Sequence, residues 1–280
     1  MAEICGQKFL WAQELVANEH ETREKALKDT VNWLKTQTTL DELDAAKIWV
    51  ILDQALWMTD RVLTQHAFCH ELADIIKELP QPLVEPFINA FYTRMLDRWS
   101  QLDKYRVEKF YVLVRYFTVA VIQYKRENNQ MNDLPDFFRS ILTSDHGVGL
   151  QTHFVDVIKD ELPSLIRDVA PNGNIMLKPF FEFFTNNDIN VALIKRINVD
   201  IIDPFLESLG SNFFGTDLDV IIKFLRGFIS LLNAAVKRGS SINVNIFELR
   251  NQVGSKARQV LAMVLQDKEK TSEPPSKSTD

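Results

Sequence analysis

The sequence predicts an all-α protein, arranged as an irregular α-solenoid of stacked antiparallel helices of the HEAT or armadillo kind. Apolar residues recur at spacings of three and four in nearly every segment, as they do on one face of a helix. Only 9 glycines occur in 280 residues, which disfavours a fold rich in tight hairpins. No fixed repeat period is found, so the stacking is expected to be irregular, and a globular helical bundle is the alternative.

In the first part of the chain, helical spacing of apolar residues predicts four helices, over residues 10–16, 26–34, 39–57 and 60–79. Thr39, with Glu42 three residues later, is a candidate capping box for the third of these helices. Three prolines follow the fourth helix and predict a connection, because proline lacks an amide hydrogen and restricts the residue before it: Pro80, Pro82 and Pro86.

Residues 87–126 form the central segment, in which two helical periods meet at a break near Ser100. Six further helices are expected, over residues 134–142, 154–166, 176–184, 189–209, 218–236 and 246–265. Together these elements define one helical, repeat-like domain over residues 1–267. A disordered polar tail is expected over residues 268–280, where apolar residues are absent.

Composition and charge exclude several classes of protein. The net charge is −6 and the pI is about 5.5, so any RNA contact must come from a local patch and not from an overall positive field. Cys5 and Cys69 are too few for a disulfide framework, which predicts a reducing compartment. No apolar run reaches the roughly 18 residues of a membrane span, and the N-terminus lacks a secretory pattern. The chain is therefore expected in the cytosol or nucleus, without membrane contact.

The second half of the central segment, residues 103–126, is locally basic although the chain is acidic. Asp103 precedes its apolar period, where a carboxylate can cap the first free amides of the helix. The candidates for contact with RNA phosphate or an acidic partner are Lys104, Arg106, Lys109 and Arg115. Arg106 and Lys109 are expected on the flank between the apolar stripe and solvent. Ordinary solvation, or ion pairing with a neighbouring helix, is the alternative.

The tryptophans are assigned structural roles. Trp33, Trp49, Trp57 and Trp99 lie on helical patterns, where packing in the core with the indole N–H bonded locally is the usual arrangement. Phe110 is expected to support the fold together with Trp57 and Trp99. Stacking of an indole on RNA bases is the alternative, and it would require an exposed ring beside cations.

The sequence contains no recognisable set of catalytic residues. His66 and His70 are four residues apart on one helix face, as two zinc ligands would be, but no glutamate lies between them as a general base. The sequence also lacks a phosphate-binding loop, a nucleophile-elbow motif and paired CxxC motifs. We therefore expect a protein that is not an enzyme and has no metal, cofactor or small-molecule substrate. A metal-dependent enzyme that uses the two histidines is the remaining alternative.

Four stretches of the chain resemble one eukaryotic family, the ribosomal RNA processing protein one family, also called the nucleolar protein fifty-two family. Residues 47–61, with Trp49, Trp57 and Asp60, are similar to its KxW…MWxxD(K/R) block. Residues 87–111, with Trp99 and Asp103, are similar to its W…DRxRxDKF block. Residues 147–156 are similar to its GV…H(F/I) segment, and residues 178–205 carry a weaker fourth likeness. The N-terminal region over residues 15–23 also fits.

The resemblance implies an all-helical, repeat-like domain and a non-enzymatic assembly factor. Its expected place is the nucleus and nucleolus, in large-subunit (60S) precursor assembly and maturation of the ribosomal RNA precursor. The implied partners are proteins of the pre-60S particle, with precursor rRNA as a further candidate. Many relatives carry a long basic C-terminal extension that this chain lacks after Asp280, so the helical surface is expected to do the binding. A generic α-solenoid scaffold for proteins outside ribosome assembly is the alternative.

Overall fold

The computed structural model describes residues 3–5, 7–8, 10–143, 147–161, 176–186, 190–211, 218–239 and 244–272. The predicted helices over 154–166 and 189–209 and the predicted tail over 268–280 extend partly outside these residues. The α-helices are α1 His20–Lys35, α2 Glu42–Trp57, α3 Val62–Glu78, α4 Gln81–Trp99, α5 Val107–Glu127, α6 Leu134–Leu142, α7 Val148–Glu161, α8 Lys178–Asn186, α9 Val191–Ile197, α10 Asp203–Ser211, α11 Leu218–Gly239 and α12 Val244–Ser272.

The prediction of an all-helical protein is confirmed. Short 3₁₀ helices lie before α1, at Leu10–Ala12 and Glu14–Val16, and between α5 and α6, at Met131–Asp133. A π-helical turn spans Asn198–Ile202. The described β-structure is one antiparallel pair of two-residue strands, β1 Glu3–Ile4 and β2 Gln7–Lys8. In the described part of the chain, no helix is both long and apolar enough to span a bilayer.

Two local predictions in the first part of the chain were wrong. The side chain that caps α2 belongs to Asp41, which accepts the amide of Asp44 at 2.7 Å, so the helix begins later than the box at Thr39 implied. A connection between α3 and α4 exists but comprises only Leu79 and Pro80, because α4 already begins at Gln81 and includes Pro82 and Pro86. Proline in the first turn loses no intrahelical bond, and Pro86 removes only one, while the helix buries a long apolar face.

The chain divides into two compact units. Unit 1 comprises Met1–Gln130 and Ser144–Val157, and unit 2 comprises Met131–Thr143 and Ile158–Asp280. In unit 1, α2 packs on α4 and α3 packs on α5. In unit 2, α6 packs on α8, and both α10 and α11 pack on α12. The last helix, α12, continues to Ser272, five residues beyond the end of the predicted helical domain.

Aromatic rings pack together in the core of each unit. In unit 1, the ring of Trp49 lies 4.8 Å from the rings of both Phe87 and Phe91, and its Nε1–H donates to the carbonyl of Phe87 at 2.8 Å. In unit 2, the ring of Phe181 lies 4.8 Å from that of Phe228 in an edge-on arrangement. Trp49 therefore has the structural role predicted for it, because a fully buried indole needs both close packing and an acceptor for its N–H.

Candidate partner-binding surface

The first two blocks of the family resemblance meet at the C-terminal end of α2. Lys109 of α5 reaches across to this end, where its Nζ donates to the carbonyls of Trp57 at 2.8 Å and Thr59 at 2.9 Å. The Trp57 carbonyl belongs to the last residue of α2 and the Thr59 carbonyl follows the helix, so neither accepts a later amide within the helix. Lys109 thus caps a helix that lies about 50 residues earlier in the sequence.

The burial of Lys109 corrects the prediction that it lies at the edge of the solvent. Only 4% of the residue is exposed. Burial lowers the pKa of Lys109, and the nearby carboxylate of Asp60 opposes that shift by favouring the charged form. A lysine whose ammonium is buried and bonded to two carbonyls cannot serve as a surface cation, so three of the four predicted contact residues remain.

Trp57 lies between two guanidinium groups. Arg106 Cζ is 4.3 Å from the centre of the indole ring and Arg98 Cζ is 4.4 Å from it, both within the range of a cation–π interaction. The ring of Phe110 lies 6.4 Å away. This arrangement supports the predicted structural role of Trp57 and Phe110, and it also fixes the position of Arg106.

A buried carboxylate anchors one of these arginines. Asp53 is fully buried, and Arg94 donates to its Oδ2 from Nε at 3.0 Å and from Nη2 at 2.5 Å. Arg98 Nε lies 3.3 Å from the same oxygen. Asp53 therefore holds α4 against α2 and orients Arg98 toward the Trp57 ring.

The turn before α5 presents cations next to an exposed aromatic ring. Asp103 accepts the amides of Tyr105 at 2.9 Å and Arg106 at 3.0 Å, so this carboxylate caps the turn before α5. The helix itself begins at Val107 and has no side-chain cap, so the prediction that Asp103 caps the first amides of the helix was wrong. The guanidinium of Arg106 also bonds to Asp103, which lowers the pKa of the carboxyl group. Tyr105 is 81% exposed, and Lys104 Nζ lies 4.8 Å from the centre of its ring. Lys104 and Tyr105 are the accessible pair in this turn.

Asp60 and Arg61 line a neighbouring polar cleft with a volume of about 320 Å³. The cleft also includes Asn18 and Arg23, from the N-terminal region that shares the family resemblance. Arg23 is fixed there, because its Nη1 donates to the carbonyls of Ala17 at 2.7 Å and Asn18 at 2.9 Å. The cleft therefore has a rigid wall, whereas Asp60 and Arg61 are exposed at its edge.

Trp99 supports the other side of the junction between α4 and α5. Its ring lies 5.3 Å from that of Tyr111 and is stacked at 6.3 Å on His153. His153 Nε2 donates to the carbonyl of Tyr111 at 2.9 Å. A Cβ atom on Gly149 would lie 2.4 Å from Trp99 Nε1, so α7 approaches the indole closely. The third resembling block thus packs on the second through the ring of Trp99.

The remaining candidates lie apart from this group. Arg115 is half-buried in the middle of α5 and already has an interaction partner. His66 and His70 both contact the ring of Tyr116, and His70 Nδ1 lies 3.1 Å from Asp74 Oδ2. Among the described residues, no three histidine, cysteine or acidic side chains converge as metal ligands.

The sequence did not single out Asp53, Arg98 or Tyr105. Asp53 lies four residues after Trp49 and three before Leu56, on the buried face of α2. A carboxylate in such a position needs a cationic partner, so its spacing could have indicated the ion pair. Arg98 and Tyr105 gave no comparable signal, because their positions depend on contacts between helices.

The sequence comparisons identify a family over most of the chain. A model of the family described as "Nucleolar protein, Nop52" matches residues 7–238. The ribosomal RNA processing protein 1 homolog of Caenorhabditis elegans is 23% identical over 216 residues, which is 73% of this chain and 54% of that protein. The homolog of Dictyostelium discoideum is 27% identical over 227 residues, covering 70% of this chain and 45% of that protein.

A third relative agrees with the first two. The ribosomal RNA processing protein 1 homolog A of Mus musculus is 26% identical over 203 residues, covering 66% of this chain and 41% of that protein. The chain thus spans about half the length of the curated relatives it matches. The family match covers the blocks that pack together in unit 1 and confirms the resemblance found in the sequence. The chain belongs to the Nop52 family of nucleolar proteins.

Proposed function

We propose that this chain is a nucleolar ribosome biogenesis factor, which acts in assembly of the large-subunit (60S) precursor and in processing of the rRNA precursor. The observation that carries the proposal is the family match over residues 7–238, joined to the packing of three family blocks in unit 1. The relatives are named for ribosomal RNA processing, and the matched region makes up about half of each of them. The proposed role belongs to that shared helical region.

The chain acts in this proposal by binding and not by catalysis. The titratable groups at the junction of α2, α4 and α5 are already used in the structure, with Lys109 bonded to carbonyls, Asp103 capping a turn and Asp53 paired with arginines. Such groups support a surface and leave no free acid, base or nucleophile among them. The binding surface consists of Lys104, Tyr105 and the edge of the cleft at Arg61.

The proposed partners are proteins of the pre-60S particle and the precursor rRNA. The finer prediction of an irregular solenoid belongs to the same proposal. It is supported by the repeated packing of a helix on the second helix along the chain, as in the pairs α2 with α4, α3 with α5, and α6 with α8. Stacking of this kind presents extended surfaces to large partners.

The test is sucrose-gradient sedimentation of the tagged chain, with precursor rRNAs in each fraction identified by hybridisation and the chain located by microscopy. We expect co-sedimentation with large-subunit precursors and nucleolar location, both lost when rRNA synthesis is blocked. Sedimentation only as a free protein, or exclusion from the nucleolus, would contradict the proposal and favour a scaffold outside ribosome assembly.

A pair of matched variants tests the surface. Arg61→Glu with Lys104→Glu reverses two exposed charges on it, and Lys25→Glu with Lys28→Glu makes the same charge change on the exposed side of α1. We expect only the first variant to leave the precursor fractions. Equal sedimentation of the two variants would remove this surface from the proposal.

A further inference from the structure

Helix α11 in unit 2 has one buried face, made by Ile221, Leu225, Phe228, Leu232 and Ala235. This face packs on α12 and α8. Successive residues of an α-helix are rotated by about 100°, so these five form a single stripe. The opposite face of the helix is left to solvent, and its composition is unusual for an acidic protein.

Three cations lie on that opposite face. Lys223, Arg226 and Lys237 are all exposed, and the helical rotation places them within about 60° of one another, directly opposite the buried stripe. They extend over about 21 Å along the helix axis, at about 1.5 Å per residue. The exposed residues between them are small or polar and include Gly227, Ser230 and Ala234. We name this surface, defined by the three cations, the α11 basic face.

The positive charge of the α11 basic face is not neutralised within the described part of the chain. Lys223, Arg226 and Lys237 form no ion pair with any described residue. Asp219 is the one acidic residue of α11; it lies on the same side of the helix, four residues before Lys223, and its carboxylate pairs with Lys268 on α12. A further cation at the end of the helix, Arg238, has Asn186 Oδ1 as an uncharged acceptor at 3.3 Å.

Stabilisation of the helix explains the position of only one of these three cations. Lys237 lies in the last turn, where a cation favours the negative end of the helix dipole. Lys223 and Arg226 lie in the first half of the helix, where the dipole gives a cation no benefit. Neither of them packs on an aromatic ring or caps a carbonyl in the described structure. Binding of a negatively charged ligand therefore explains the position of these two cations beside Lys237 better than stabilisation of the helix does.

We infer that the α11 basic face binds the phosphate backbone of RNA. The inference deepens the proposed function, since the RNA would then be a ribosomal precursor. An acidic protein partner fits less well, because protein interfaces are centred on buried apolar or aromatic anchors. Among the described residues of α11, the one exposed large apolar residue is Leu231, which is 39% exposed and lies to the side of the three cations. Nucleic-acid interfaces, by contrast, are polar and strongly positive.

The inference is tested with a triple variant of the whole chain, Lys223→Gln, Arg226→Gln and Lys237→Gln. A matched control, Lys25→Gln, Lys35→Gln and Lys77→Gln, removes three exposed cations from unit 1, two of which are paired with Glu78 and Asp74. Both variants lower the net charge by three, and glutamine keeps the helix propensity. Binding of fluorescein-labelled polyuridylate is measured by anisotropy over a range of salt concentrations.

The expected effect follows from counterion release. Each phosphate contact on a single strand contributes about 0.7 to the slope of log affinity against log salt, so loss of three contacts lowers the slope by about 2. At about 0.1 M salt this corresponds to a loss of about hundredfold in affinity. The control is expected to stay within about twofold of the parent, with an unchanged slope.

Three results would overturn the inference. Equal affinity and slope in the two variants, or no binding of the parent chain to polyuridylate, would exclude RNA at this face. Tighter binding of polyglutamate than of RNA, lost in the α11 triple variant alone, would assign the face to an acidic protein segment. Sedimentation with large-subunit precursors distinguishes failure of this inference from failure of the proposed function. If the chain sediments with these precursors but the α11 triple variant keeps its RNA affinity, only this inference fails. If RNA binding depends on α11 but the chain sediments freely, only the proposed function fails.

Discussion

Replacement of Lys109 by methionine separates a structural lysine from a surface ligand. Methionine keeps most of the volume and apolar stem but removes the ammonium that bonds to the carbonyls of Trp57 and Thr59. The Trp57 carbonyl loses a charged donor, and an unsatisfied buried acceptor costs about 1–3 kcal/mol. The Thr59 carbonyl keeps Gln65 Nε2 at 2.9 Å, so its loss is smaller, about 1 kcal/mol.

The expected net destabilisation is about 2–3 kcal/mol, because removal of a buried ammonium also relieves the desolvation that lowers its pKa. Urea unfolding followed by tryptophan fluorescence measures this destabilisation, since all five tryptophans lie in unit 1 together with Lys109. With a slope of about 2 kcal/mol per molar urea, the midpoint should fall by about 1–1.5 M. The Lys104→Met control, on an exposed side chain, should change stability by less than about 0.5 kcal/mol.

The opposite outcome would refute the account of this junction. If Lys109→Met unfolded at the same urea concentration as Lys104→Met but bound polyuridylate more weakly than that control, Lys109 would be a surface ligand. The bonds to α2 would then contribute nothing measurable, and the sequence-based prediction would have been correct.

Four further substitutions are expected to have measurable effects. Asp53→Asn should destabilise unit 1 by about 3 kcal/mol in the same urea titration, because it leaves two partly buried arginines without their carboxylate. Gly149→Ala should lower the free energy of unfolding by about 1–3 kcal/mol and shift the tryptophan emission spectrum, since the added methyl group would meet Trp99. Gly227→Ala has open space around it and should stabilise α11 by up to about 1 kcal/mol, measured by thermal unfolding followed by circular dichroism. Burial raises the pKa of Cys69 to about 12, so the folded state keeps the thiol proton longer than the unfolded chain, and the unfolding free energy should fall as pH rises above about 9. Cys69→Ser should reduce that slope and leave the part due to buried Tyr92, whose pKa is also raised.

The helices could be predicted from the sequence because their signals are local. The break between α4 and α5 near Ser100 and the core position of Trp49 both follow from spacing within a few turns of helix. The cap of α2 was misassigned because Thr39 and Asp41 are both good capping residues, and the choice depends on where the helix begins. Pro86 lies inside α4 because tertiary burial outweighs one missing hydrogen bond.

The candidate surface was harder to predict, because it depends on contacts between segments distant in sequence. Spacing within α5 places Lys109 at the edge of the apolar stripe, where a long side chain can either reach solvent or turn inward. Lys109 turns inward because its ammonium bonds to carbonyls at the end of α2, about 50 residues earlier in the sequence. Arg98 and Arg106 lie over the ring of Trp57 for a similar reason, since these contacts join residues that are distant in the sequence.

The number of cations in a segment is therefore a poor measure of the charge available to a ligand. The central segment attracted attention with six cations in residues 103–126, yet Lys109 and Lys125 are buried on protein acceptors and Arg106 is paired with Asp103. Helix α11 has only four cations, but no acidic residue follows Asp219 along it. A phosphate group competes with whatever acceptor a cation already has, so a cation with no internal partner gives the larger gain on binding. By this criterion the α11 basic face, and not the central segment, is where RNA contact should first be sought.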